Sequence, residues 1–352
     1  METTSDLGKW SSNDNIDAEA EAVRGLTPIC VESSLDQSMK IFYLNPQYPD
    51  LSVENDVLAG TGVELVPCVV KNEDDVIRVG QSADALVTVQ VPISASVVAK
   101  LDHCKVIVRL GVGYEIIDID SCKRRGILVC NVPDYGTEEV ANHAVALCLS
   151  VHRRILSYDR KVRKGEWGHE LPWPIRRLST LSAGILGLGR IGRTFAKRIQ
   201  PFVRAVVGFD PFLSEAQFAD IGVGFATAQQ IFETCDIISL HLPLSPANHH
   251  LINDATITQM KRKPILLNVS RGGLVDSAAL IRALRIGQIS GAGIDVFEEE
   301  PNVPPEYLAL ENIVLSPHVA WYSEEASLVL RRSAIEEIVR VLTGHSPKNA
   351  VN

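Results

Sequence analysis

From Met39 onward the chain alternates short apolar runs with stretches whose apolar positions recur at helical spacing. Ile41–Leu44, Val63–Cys68, Ala85–Val89, Val106–Leu110 and Leu128–Val132 read as strands separated by helices. Mostly apolar strands alternating with helices predict a parallel sheet covered on both faces. A long helix is then expected from about Glu138 to Lys164, with Thr137 as its N-cap and Glu138 and Glu139 near the positive end of its dipole. Such a helix suits a crossover between domains or a subunit contact. A second series follows: Ser182–Leu186, Ala205–Phe209, Asp236–His241, Ile265–Val269, Gly291–Asp295 and Ile313–Leu315. Six strands with intervening helices make a second doubly wound sheet. A last amphipathic helix is expected over Ser323–Thr343, ended by Gly344 and Pro347.

The length of 352 residues agrees with two α/β domains, because a single core seldom grows past about 250–300 residues. The net charge of −9 supplies no basic stripe for nucleic acid, and no apolar run reaches membrane-spanning length. The charge is uneven. Residues 1–38 hold Glu2, Asp6, Asp14, Asp17, Glu19, Glu21, Glu32 and Asp36 against Lys9 and Arg24. Few apolar residues accompany them, so a flexible acidic leader is expected. It is too acidic for a mitochondrial transit peptide and lacks a signal-peptide core, which points to the cytoplasm. The seven cysteines are scattered without a C-x-x-C pair, as expected of reduced thiols.

Gly187-Leu188-Gly189-Arg190-Ile191-Gly192 stands directly after an apolar strand and before a helical stretch. In that context Gly187 permits the tight turn and Gly189 lets a pyrophosphate approach the backbone. Gly192 allows close helix packing, and the helix N-terminus faces the anion. Asp210, eighteen positions beyond Gly192, ends the next strand where the fold presents a residue to the adenosine ribose. A carboxylate there accepts from both hydroxyls and repels a 2′-phosphate, which favours NAD over NADP; Arg190 argues the other way.

Hydride transfer to a 2-oxo acid needs a cation for the substrate carboxylate, a proton donor for the developing alkoxide, and a group to orient that donor. Arg271, Glu300 and His318 follow three successive strands and offer these functions. Loops after the carboxyl ends of such strands converge on the ligand crevice. Taken singly, Arg271 could pair with Asp276, Glu300 could be one surface acid of three, and His318 could cap a strand. His249-His250 offers two imidazoles, but no Cys or His at ligand spacing nearby completes a set, so a solvated loop and no metal are expected.

The chain resembles the D-2-hydroxyacid dehydrogenase family over roughly residues 40–352, and more narrowly its C-terminal-binding-protein (CtBP) branch. The carrying motifs are Asn131 to Ala141, the glycine turn with Asp210, Asn248-His249-His250-Leu251-Ile252-Asn253, and Ser270-Arg271-Gly272-Gly273-Leu274-Val275-Asp276. Asp295 to Pro301 and Pro317 to Glu324, which contains Trp321, complete the set. The family's catalytic Arg, Glu and His fall on Arg271, Glu300 and His318 at its usual spacing. The resemblance implies that His318 exchanges the proton, Glu300 holds its tautomer, and Arg271 binds carboxylate and polarises the carbonyl. It further implies that Arg109 and the amides of Val112 and Gly113 serve the substrate, and that Trp321 packs beside the substrate side chain unless it is a core residue. Pro243 and Asn248 would lie beside the cofactor, with Asp295 at the nicotinamide carboxamide.

The implied fold is a Rossmann NAD-binding domain, residues 139–321, inserted in a flavodoxin-like substrate domain, residues 39–138 and 322–352. The implied activity is NAD(H)-dependent hydride transfer at the alpha carbon of a D-2-hydroxy or 2-oxo acid by a homodimer, with domain closure around NADH. Trp167 and Trp173 are candidates for a flap or dimer contact. The alternative is a CtBP-like, NAD(H)-sensing dimeric scaffold or transcriptional corepressor, although the chain ends at Asn352 without the long tail of the animal corepressors. Formate is disfavoured, because formate dehydrogenase relatives pair their histidine with glutamine. Phosphite and 3-phosphoglycerate stay open, since loops set the substrate.

Overall fold

The computed structural model describes residues 38–170 and 174–352. The acidic leader, Cys30 and Trp173 lie outside the described residues. The chain divides into two compact units, one running to Pro133 and resuming over Leu328–Asn352, the other Asp134–Ser327.

The first unit carries a five-stranded parallel sheet of β1 (Met39–Leu44), β2 (Val63–Cys68), β3 (Ala85–Thr88), β4 (Val106–Arg109) and β5 (Leu128–Cys130), in the order β2-β1-β3-β4-β5. This is the flavodoxin-like order. Every residue of β3 is buried, as a strand covered on both faces must be. Its core joins Leu44, Leu86, Ile93, Ile107 and Val129. The C-terminus closes this unit. Ala350 bridges Cys130, and the side chain of Asn352 donates to the Ile127 carbonyl and accepts from the Val129 amide.

The second unit carries β6 (Ser182–Leu186), β7 (Ala205–Phe209), β8 (Gly224–Phe225), β9 (Ile237–Leu240), β10 (Ile265–Asn268), β11 (Gly291–Ile294) and β12 (Ile313–Leu315). Their order is β12-β11-β10-β9-β6-β7-β8, with all pairs parallel. The order reverses between β6 and β9, which is where a doubly wound sheet opens its ligand crevice. Separate cores around Phe195 and Leu267 on one side, and around Ile238 and Leu266 on the other, cover the sheet.

Three expectations change. β8 is an additional edge strand, whose two exposed residues leave no apolar run to detect. The long helix divides into Thr137–Arg153 and Ile155–Arg163, with Gly136 rather than Thr137 at its N-cap. Between the two helices, Arg154 takes a left-handed φ of 56° while its guanidinium reaches the Ser290 carbonyl at 2.9 Å. A tertiary contact thus ends a helix that contains no Gly or Pro signal. Finally, residues 134–138 and 322–327 group with the second sheet. Asp134 pairs with Arg190 at 2.6 Å, Gly136 lies against the Trp321 carbonyl, and Ser323 Oγ donates to Glu139 at 2.8 Å.

Candidate active site

The glycine turn sits at the reversal of strand order. Gly187 has φ 93°, and a Cβ there would lie 2.4 Å from the His241 carbonyl oxygen beyond β9. A Cβ on Gly192 would lie 2.0 Å from the Gly187 oxygen, whereas one on Gly189 would meet nothing within 4 Å. Two glycines therefore permit close backbone approach, and the third leaves open space before the helix Arg190–Ile199, whose N-terminus carries no side-chain cap. Ile191 packs at the edge of the Phe195 core.

Asp210 accepts from the amides of Leu188 at 2.8 Å and Phe212 at 3.0 Å, so its carboxylate is tied to the glycine turn. Arg190 Nε is engaged with Asp134. Asn248 Nδ2 donates to the Pro243 carbonyl at 2.8 Å, and Asn248 Oδ1 accepts from the Ser245 amide, which fixes the loop after β9. An open helix N-terminus with a carboxylate at the end of β7 suits a dinucleotide.

Beyond the carboxyl ends of β10 to β12 the structure brings Arg271, Glu300 and His318 together. His318 Nδ1 lies 2.6 Å from Glu300 Oε2, with side-chain exposures of 40% and 32%. Burial pushes the Glu300 carboxyl up. The hydrogen bond and charge of His318, the Phe297 amide at 2.9 Å and the charge of Arg271 outweigh it and hold Glu300 below its ordinary range. Arg271 is oriented through its NH1, which donates to the Ser270 carbonyl. His318 adopts a left-handed φ of 55°, which its amide secures by donating to the Asp295 carbonyl at 2.8 Å. Outliers of this kind are kept where surrounding bonds over-determine them.

Asp295 is fully buried and accepts from the amides of Val319 and Ala320, each at 3.0 Å, and from Ser316 Oγ at 2.6 Å. His143 Nε2 lies 2.8 Å from that same Ser316 Oγ. Nothing in the sequence pattern connects His143 to Ser316 or Asp295. Gly272 was also missed. A Cβ there would fall 1.9 Å from the Phe297 oxygen, so glycine is what lets the Arg271 loop meet the Glu300 segment.

Trp321 is half-buried, edge-on to Tyr135 at 5.9 Å and Tyr322 at 5.6 Å, and packs at the rim of the core rather than inside it. Arg109, Val112 and Gly113 belong to the first unit, Arg109 as the last residue of β4 and the other two on the loop leaving it. Asn131 Nδ2 donates to the Val112 carbonyl at 2.6 Å, and Gly111 takes φ 138° with the Arg109 guanidinium folded over it. Trp167 is 94% exposed. A surface cavity of about 440 Å³ lined by Thr180, Arg204, Glu233, Thr234 and Arg262 lies at the opposite ends of the strands and has no share in this chemistry.

Comparison with known proteins shows the family. A sequence model described as D-isomer specific 2-hydroxyacid dehydrogenase, NAD binding domain, matches residues 145–320. The chain belongs to that family. It is an NAD-dependent dehydrogenase of the D-2-hydroxyacid class, and its second unit contains the NAD-binding domain. A glyoxylate reductase of Korarchaeum cryptofilum is 37% identical over 280 residues, covering 77% of this chain and 83% of the relative. Among solved structures, an acyclic imino acid reductase in complex with NADPH and D-Arg superposes with TM-score 0.81 at 29% identity, over 89% of this chain and 100% of that one. A D-lactate dehydrogenase from Aquifex aeolicus, complexed with NAD and lactic acid, gives 0.78 at 26% identity over 88% and 98%. Among the described residues no helix is long and apolar enough to cross a membrane.

Proposed function

We propose that this dehydrogenase interconverts a small 2-oxo acid and its D-2-hydroxy acid, with His318 as acid and base, Glu300 as its orienting carboxylate and Arg271 as the carboxylate anchor. The observation that carries the reading is the 2.6 Å contact between His318 Nδ1 and Glu300 Oε2. It commits Nδ1 and leaves Nε2 as the ring nitrogen that trades a proton with the substrate oxygen. Nicotinamide supplies or accepts the hydride when bound. The ionised Glu300 holds the ring by its Nδ1, and the planar fork of Arg271 holds a carboxylate by two parallel bonds while drawing electron density from the carbonyl.

Asp295, its carboxylate tied to backbone amides and Ser316, orients the carboxamide of the cofactor. Asp210 takes the adenosine hydroxyls, and Gly187, Gly189, Arg190, Ile191 and Gly192, with Pro243 and Asn248, line the dinucleotide. Arg109, with the amides of Val112 and Gly113, adds contacts to the substrate carboxylate, and Trp321 faces its side chain. The unit Asp134–Ser327 serves as the cofactor domain, and the unit that runs to Pro133 and resumes over Leu328–Asn352 as the substrate domain. Glyoxylate, lactate and related acids named for the relatives are the first substrates to try.

The finer assignments rest on separate supports. The Asn248-His249-His250 and Trp321-Tyr322-Ser323-Glu324 motifs support the CtBP-like branch. A homodimer would cover Ile155, Leu156 and Val162, which lie 50%, 41% and 57% exposed along one short helix. Five buried free thiols among the described residues suit a reducing cytoplasm; burial pushes Cys148 up to about 12, so it is no reactive nucleophile.

The test is NADH consumption across pyruvate, glyoxylate, hydroxypyruvate, phenylpyruvate and 4-methylthio-2-oxobutyrate, with His318→Ala as control. Turnover should fall by about 10²-fold or more in the variant with NADH affinity retained. Equal loss of both would make His318 a structural residue. NADH binding without turnover of any acid would favour a nucleotide-sensing scaffold.

A further inference from the structure

His249 and His250 lack a third ligand nearby in sequence, but the fold supplies one from 48 residues beyond His250. The ligand atoms of His249, His250 and Glu298 all lie within 4.8 Å of one another. We propose that these three side chains form a binding site for a borderline divalent cation of the Zn²⁺ type, apart from the catalytic residues.

Three observations support the site. First, the donor set is two imidazoles and one carboxylate, which leaves a fourth tetrahedral position to water. Second, Glu298 is already positioned. Its Oε1 accepts from the Ser277 amide at 2.8 Å, and its Oε2 faces His250 Nε2 at 2.6 Å. Third, the two imidazoles are stacked with centroids 3.9 Å apart, which points both rings to one side of the loop. The backbone beneath is fixed by the His250 amide, which donates to the Gly273 carbonyl at 2.8 Å.

A cation entering this site replaces the hydrogen bond between His250 and Glu298. Bonds of about 2.0–2.2 Å at tetrahedral angles hold ligand atoms about 3.3 Å apart, so the 2.6 Å contact of His250 with Glu298 opens slightly. The exposed His249 ring completes the set by rotating about its side-chain torsions. Among imidazole-preferring ions affinity rises from Co²⁺ through Ni²⁺ to Cu²⁺, with Zn²⁺ below Cu²⁺, whereas Mg²⁺ and Ca²⁺ prefer an all-oxygen shell.

The experiment uses the full chain without a histidine tag, stripped with chelator and titrated with Zn²⁺ against a chromogenic competitor. Saturation at one Zn²⁺ per chain is expected, with affinity weakened at least about tenfold in His249→Ala and in Glu298→Gln. His249 is exposed, and glutamine keeps an acceptor for the Ser277 amide, so both variants should fold. Co²⁺ should give tetrahedral visible bands without thiolate charge transfer. No saturable binding, unchanged affinity in both variants, or a thiolate signature would each overturn the site.

Discussion

A Cβ on Gly272 would stand 1.9 Å from the carbonyl oxygen of Phe297, so the loop bearing Arg271 and the segment bearing Glu300 meet backbone to backbone. That closeness sets the spacing of a cation, an anion and an imidazole that come from three different strand ends.

Gly272→Ala should therefore disturb chemistry more than nucleotide binding. The added methyl meets backbone atoms of Phe297 and Glu298, which cannot swing aside as a flexible side chain can. The two loops must part, and a displacement near 1 Å at reacting groups costs on the order of 10²-fold in rate. Steady-state kinetics should show kcat/KM falling by that order, while fluorescence titration shows NADH affinity nearly unchanged. Wild-type kinetics in the variant would mean that the loop spacing is irrelevant to turnover.

Glu300→Gln should change the pH profile as well as the rate. With Glu300 held below its ordinary range, its negative charge is present across the neutral range, where it accepts from His318 Nδ1. That charge is lost as pH falls through the depressed value, so the activity that depends on it should fall on the acid side. Glutamine carries no charge to lose, so kcat should be reduced at neutral pH and this acid limb should disappear. An unmoved profile would take Glu300 out of the proton-transfer pair.

Asp210→Ala tests the nucleotide end. This carboxylate, proposed to take the adenosine hydroxyls, accepts from the amides of Leu188 and Phe212. Its loss should weaken NADH by about tenfold, equivalent to about 1.4 kcal/mol. Discrimination against NADPH should relax, because the charge that repels a 2′-phosphate has gone. Comparison of NADH and NADPH dissociation constants decides it, and undiminished NAD preference would contradict the ribose assignment.

Every strand but β8 was legible because each is a short apolar run bounded by polar loops, and Ser182–Leu186 and Ala205–Phe209 have the boundaries their pattern predicts. The glycine turn was legible because three glycines at fixed offsets answer a single steric problem. The break at Arg154 was not, since it is made by a side chain reaching Ser290, 136 residues away. The same limit hid His143 behind Asp295 and Glu298 beside His249. Contacts between distant loops carry no period, and only the folded backbone brings them together. Gly272 was quoted in a motif, but its necessity lies in Phe297, which no local pattern links to it.

Acid should weaken the fold at Asp236. Asp236 precedes β9 with its side chain only 3% exposed. It accepts from the Ser182 amide at 3.0 Å and pairs with Arg176 at 2.6 Å and Arg262 at 3.1 Å. Burial pushes its carboxyl up, but the Ser182 amide and the two guanidinium groups outweigh this and hold it below its ordinary range. A carboxylate depressed in the fold contributes its full stability above the unfolded value of about 3.9, and loses it as pH falls through the folded value. Asp236→Asn removes that contribution at neutral pH while keeping one acceptor for Ser182. The two arginines it leaves are nearly half exposed and recover water, so the cost should be about 1–3 kcal/mol rather than that of a stranded buried charge. Thermal unfolding should show a lowered midpoint at neutral pH and a gap to the parent chain that narrows towards acid. A gap of constant size across that range would mean that the contribution of Asp236 is packing and not charge.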